Sequence, residues 1–116
     1  MSRMGQVNVE LAPMLRALAD PSRMRVIELL SHGPRRSGEL ARELDVAPPS
    51  MSKQLRVLLA ARLIEDERRP EDARVRVFRL RQESVVSLRA WLDQIQAHWD
   101  EQLGSFKTHI ERKEQR

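Results

Sequence analysis

A chain of 116 residues with 41% hydrophobic and 33% charged residues has room for one modest core, and it is too apolar to remain disordered. It contains no cysteine, which excludes disulfides, thiolate metal sites and cysteine redox chemistry; its 3% aromatic content, with no tyrosine, leaves little for stacking on unpaired bases. Lys and Arg outnumber Asp and Glu by 21 to 17, a surplus that suits a polyanionic partner bound selectively better than a protein that coats DNA by charge.

No run reaches the ~18 apolar residues of a membrane span, and the opening MSRMGQVNVE lacks an apolar signal core, so a cytoplasmic protein is expected. The spacing of Leu11, Met14, Leu15 and Leu18 predicts a first amphipathic helix over 8–19. Asp20 is suited to cap a second helix and Pro21 to start it; Val26, Ile27, Leu29 and Leu30 supply its buried side, and Gly33-Pro34 ends it. His32, just before that stop, sits where a helix end favours a cation. Ser37 is expected to cap a short third helix, GELARELD, with Leu40 and Leu44 inward. After a turn at Val46 and Ala47, a fourth helix runs from about 48 to 61.

That fourth helix opens on Pro48-Pro49. The first N–H groups of a helix have no intrahelical partner, so prolines cost little there and their fixed φ helps nucleation. At roughly 100° per residue, Met51, Leu55 and Leu58 gather on one side, with Lys53 nearly opposite. The outward face then offers Ser50, Lys53 and Gln54 to base edges in a major groove, and Ser52 and Arg56 to phosphates. A short helix and tight turn before such a face make a helix-turn-helix, although an ordinary solvated face has the same composition.

LIEDERRPEDARVRVFRL follows, with strand formers Val75, Val77 and Phe78 and turn residues PEDA, which predicts a two-stranded hairpin over about 63–80. Arg68, Arg69, Arg74 and Arg76 crowd its tip, and mutually repelling guanidinium groups favour a polyanion nearby. Glu71 and Asp72 argue against deep minor-groove insertion and suit a wing that touches phosphate with its arms. The last element, 82–111, carries Val85, Leu88, Leu92, Ile95, Trp99, Leu103, Phe106 and Ile110 at intervals of three and four. This seam is too long for the small core before it and is expected to pair with a second chain, the alternative being a helix that lies across its own domain. The expected fold is therefore mostly α with a small β-hairpin wing: a single winged helix-turn-helix domain over 1–116, with a DNA-binding core at 8–81 and a long C-terminal dimerisation helix at 82–111.

ALADPSRMRVIELL, SGELARELDVAPPSMSKQLRVLLAARLI and RVRVFRL together resemble the ArsR-type (ArsR/SmtB) family of winged-helix regulators over nearly the whole chain. The reading-helix pattern appears as Ser52-Lys53-Gln54-Leu55, with Gln54 where the family commonly has His. The resemblance implies a homodimer built from the first and last helices, through Leu11, Leu15, Leu88, Leu92, Ile95, Trp99, Leu103 and Phe106. It also implies an imperfect palindromic double-stranded DNA operator near its own promoter, and repression by blocking polymerase.

The family's metal sites do not carry over. Arg36 and Gly38 stand where its paired thiolates stand. His98 and His109 keep the His–His interval of its last-helix site, but Gln96 and Arg112 occupy the flanking Asp and Glu positions, leaving half a tetrahedral set at most, shared across an antiparallel dimer. No metal and no cofactor is expected. An inducer is left open among a small molecule in a cleft at the dimer helices, a partner protein, and none at all. The chain lacks a Cys nucleophile, a glycine-rich phosphate loop and a His–carboxylate constellation at catalytic spacing, so it is not expected to be an enzyme. The rival reading is a winged-helix protein-interaction module that pairs through its C-terminal helix with a different chain.

Overall fold

The computed structural model describes residues 10–114. Its elements are α1 (Leu11–Leu18), α2 (Pro21–Leu30), α3 (Ser37–Leu44), α4 (Pro48–Ala60), β1 (Ile64–Arg69), β2 (Asp72–Leu80) and α5 (Gln82–Glu114). The expected start of the first helix, at 8 and 9, lies outside the described residues.

The helix boundaries follow local chemistry. Asp20 caps α2, its Oδ1 accepting from the Ser22 N–H at 2.8 Å, with Pro21 in the first turn. Ala47 offers α4 no side-chain cap, and Pro48 and Pro49 begin that helix. One expectation is corrected: Ser37 is the first residue of α3 and not its cap. Arg36 holds the cap position, and its backbone N–H donates to Glu39 Oε1 at 3.1 Å, the N3 half of a capping box. α3 ends at Asp45 in the left-handed conformation (φ 53°), which a short polar side chain tolerates.

Val26, Leu40, Met51 and Leu58 are fully enclosed and form the centre of the core, which α1, β1 and Phe78 of β2 complete. The hairpin is antiparallel, turns at Pro70-Glu71, and has an irregular register between Arg68 and Arg69. It is pinned to the body by Arg35 and Phe78, which exchange both backbone hydrogen bonds (3.0 and 2.8 Å). That bridge sets the wing beside the N-terminus of α3. At the other side, Arg62 turns the chain from α4 into β1 with φ 60°, and the buried Ser84 hydroxyl of α5 donates to its carbonyl.

α5 is three residues longer than expected at its C-terminal end. Its 33 residues, at about 1.5 Å each, span roughly 50 Å, and the molecule is 74 Å in its longest dimension. Only its first turns meet the core, through Ser84, Leu88 and Trp91; every described residue from Leu92 onward is exposed.

Candidate nucleic-acid interface

The face of α4 follows from its anchors. Met51, Leu55 and Leu58 are 1%, 2% and 0% exposed, so the helix cannot rotate without removing three large side chains from the core. Ser50, Ser52, Lys53 and Arg56 are consequently exposed. Gln54 is different: it is half-buried, and its Oε1 accepts from Arg23 Nη1 at 3.0 Å. Arg23 also donates from Nε to the Ala17 carbonyl at 2.7 Å and lies 3.5 Å from Asp20, so Gln54 joins a junction of α1, α2 and α4.

The wing departs from the expectation of four crowded, mutually repelling cations. Arg74 Nε lies 3.1 Å from Asp72 Oδ1, and Arg76 reaches Asp66 Oδ2 at 2.8 Å while standing 5.1 Å over the Phe78 ring. Arg68 Nη1 donates to the Ala73 carbonyl at 2.7 Å. Two of the four charges are thus balanced within the hairpin by Asp72 and Asp66, while Arg68 and Arg69 form no ion pair among the described residues. The hydrogen bonds from the Arg74 side chain and then its backbone N–H hold the Asp72 carboxyl below the usual carboxylate range, and the charge of Arg36 adds to them. Further down the ladder, Arg79 pairs with Glu65 (2.9 Å) and Glu67 (3.2 Å), and these partners push its guanidinium pKa up.

Strand alternation puts Arg74 and Arg76 on the side of Phe78, facing α4. They meet Arg56 and Ser52 there, together with Arg36, Ser37 and Gly38 from the start of α3, around one cleft of about 470 Å³. Arg69 lines a second, shallower cleft together with Arg36, Gly38, Glu39 and Arg42. Arg36, Ser37, Gly38 and Arg42 were not singled out from the sequence as part of this surface. The local signal was present in the Arg35-Arg36-Ser37 run at a helix start, but only the position of the wing makes it one surface with α4.

The residues expected at a dimer interface divide. Leu11 is buried in the core of its own protomer and Leu88 is packed half-buried against it. Leu15, Leu92, Ile95, Trp99, Leu103 and Phe106 are exposed, as are Val85 and Ile110 of the same seam. His98 and His109 are exposed along α5, and the described residues contain no group of three or more His, Cys, Asp or Glu placed to hold a metal ion. No helix among them is long and apolar enough to cross a membrane.

A family model for a helix-turn-helix domain (HTH_20) matches residues 18–67, the stretch from α2 into β1. The chain is 47% identical over 77 residues to the HTH-type transcriptional regulator Rv2034 of Mycobacterium tuberculosis, covering 66% of this chain and 69% of that protein. It is 32% identical over 56 residues to the transcriptional repressor SdpR of Bacillus subtilis, covering 48% of this chain and 62% of the relative. The crystal structure of an ArsR family transcriptional regulator superposes with a TM-score of 0.68 at 34% identity, covering 78% of this chain and 97% of that one. With the wing, the outward face of α4 and these likenesses together, the chain belongs to the ArsR family of winged helix-turn-helix transcriptional regulators.

Proposed function

We propose that this regulator is a homodimeric repressor of its own operon that reads double-stranded DNA with α4 and grips the backbone with the wing. The observation that carries the reading is the rotation of α4: three buried anchors on one side leave Ser50, Lys53 and the amide nitrogen of Gln54 on the other for base edges. Ser52, Arg56, Arg69 and Arg74 serve as phosphate contacts beside that face, together with Arg68 and Arg76 of the wing. Dimerisation is supported by the exposed seam of α5 together with Leu15 of α1, a larger apolar stripe than a monomer leaves in water. Repression is supported by the likeness to a named repressor, and control of its own operon rests on the family resemblance. No thiolate metal site enters the mechanism, since Arg36 and Gly38 occupy those positions.

Fluorescence anisotropy with the DNA upstream of its own gene tests the reading. A specific fragment should bind at least about 10³-fold tighter than scrambled DNA, with affinity falling linearly in log salt. Equal affinity for both would reject it. A second reading, in which α5 pairs with a different chain and the wing meets no DNA, is favoured by the internal neutralisation of Arg74 and Arg76. It predicts a purified chain that stays monomeric and shows no DNA selectivity.

A further inference from the structure

The cleft between α3, α4 and the wing has two kinds of wall. Its floor is apolar, made by Leu55, Leu59, Val75 and Phe78, of which Leu55 and Phe78 are buried. Its rim is cationic and hydroxylic, made by Arg36, Arg56, Arg74 and Arg76 with Ser37 and Ser52. A backbone phosphate needs the rim and has no use for the floor. At about 470 Å³ the cleft falls in the size range of small-molecule sites, which pair an apolar body with a few convergent polar groups.

The charge balance points the same way. Asp72 and Asp66 offset Arg74 and Arg76, whereas no ion pair is formed by Arg36 or Arg56 among the described residues. The rim therefore sets four arginines against the paired carboxylates of Asp66 and Asp72, the latter also feeling the charge of Arg36, beside the first turn of α3, where Glu39 accepts from the Arg36 N–H. An anionic head group of one or two charges restores neutrality, and an apolar body covers the floor.

We propose that this cleft is a ligand site for a small amphipathic anion, a phosphate monoester or carboxylate with an apolar body, and that its occupant competes directly with DNA. Arg56 and Arg74 would hold the head group, and they are also the groups offered to DNA phosphates, so a bound anion removes the protein's grip without any change of shape. The competition rests on the DNA-binding reading above; the binding of the anion does not.

Phenyl phosphate is the probe, titrated into the full-length protein and followed by backbone amide NMR, with inorganic phosphate and benzyl alcohol compared at matched ionic strength. The expected result is saturable binding that moves the Ser37, Gly38, Ser52 and Val75 signals, at least about ten-fold tighter than either control. Arg56→Ala should weaken it about ten-fold. Gly38→Leu should block it while remaining folded, because a Cβ at Gly38 meets nothing within 4 Å and its side chain would grow at the mouth of the cleft. Inorganic phosphate binding as well as phenyl phosphate, or signals moving away from the cleft, would overturn the site. Displacement of operator DNA by phenyl phosphate but not by inorganic phosphate is the expected outcome of the competition arm, and simultaneous binding of DNA and probe would overturn the competition. A protein that takes phenyl phosphate in the cleft but has no selective DNA affinity would defeat the repressor reading and leave the ligand site standing.

Discussion

Arg23 donates through Nη1 to Gln54 Oε1 at 3.0 Å, joining α2 to the first turns of α4 across 31 residues of sequence. The bond sits at the edge of the face proposed to read DNA, so the same side chain positions the helix and borders that surface. Gln54→Ala should cost about 1 kcal/mol of stability, the net worth of one such bond, while Arg23 keeps its contacts to Ala17 and Asp20. Gln54→Glu should retain the stability, since an ionised acceptor strengthens the bond to a guanidinium. Urea denaturation reads both as a shift of the midpoint at constant slope.

Lys53 gives the opposite balance. It is exposed, so Lys53→Ala should leave stability within about 0.5 kcal/mol of wild type. Operator affinity should fall by roughly 1–3 kcal/mol, with relaxed sequence choice at one base pair. Titrations against an operator and its single-base variants separate this from a general loss of binding.

Asp72 and Arg74 set the charge of the wing tip. Arg74→Ala should weaken all DNA about equally and flatten the log–log salt slope by about 0.9, the contribution of one phosphate contact. Asp72→Asn should leave that contact in place and tighten binding to all DNA, because it removes a carboxylate held 3.1 Å from the guanidinium. The carboxyl of Asp72 has a depressed pKa, so its favourable pairing is complete above the ordinary carboxylate pKa and is lost as pH falls through the depressed value. Near neutral pH the acid is fully ionised. The slope of the wild type should therefore not change between pH 6 and 8, about two units or more above the ordinary carboxylate pKa.

The distal half of α5 tests the assembly. Trp99→Asp combined with Phe106→Asp should convert a dimer to a monomer by light scattering and abolish tight operator binding. Both side chains are exposed, at 58% and 63%, so the fold of each protomer should survive. A particle of unchanged mass would remove the seam from the interface.

Leu58→Ala probes the anchor of the reading face. Leu58 is 0% exposed at the centre of the core, and the truncation should cost about 2–5 kcal/mol. Operator affinity measured on the fraction still folded should fall as well, because α4 is oriented by the side chains that Leu58 packs against.

Much of this protein is legible in its sequence because helix geometry is local. The pitch of α4 alone dictates that Met51, Leu55 and Leu58 share a side and that Lys53 opposes them; Asp20-Pro21 and Pro48-Pro49 mark helix starts by the chemistry of unpaired N–H groups. The three- and four-residue intervals of α5 likewise place Leu92 to Ile110 on one stripe, whatever that stripe meets. Tertiary structure decided what lies beside what. Spacing along the chain says nothing of Arg23 reaching Gln54, of Asp66 and Asp72 taking up two wing arginines, or of the start of α3 closing a cleft against β2. Those contacts depend on the angle at which elements pack and on the Arg35–Phe78 bridge, and long polar side chains choose among several partners only once the backbones have brought them within reach.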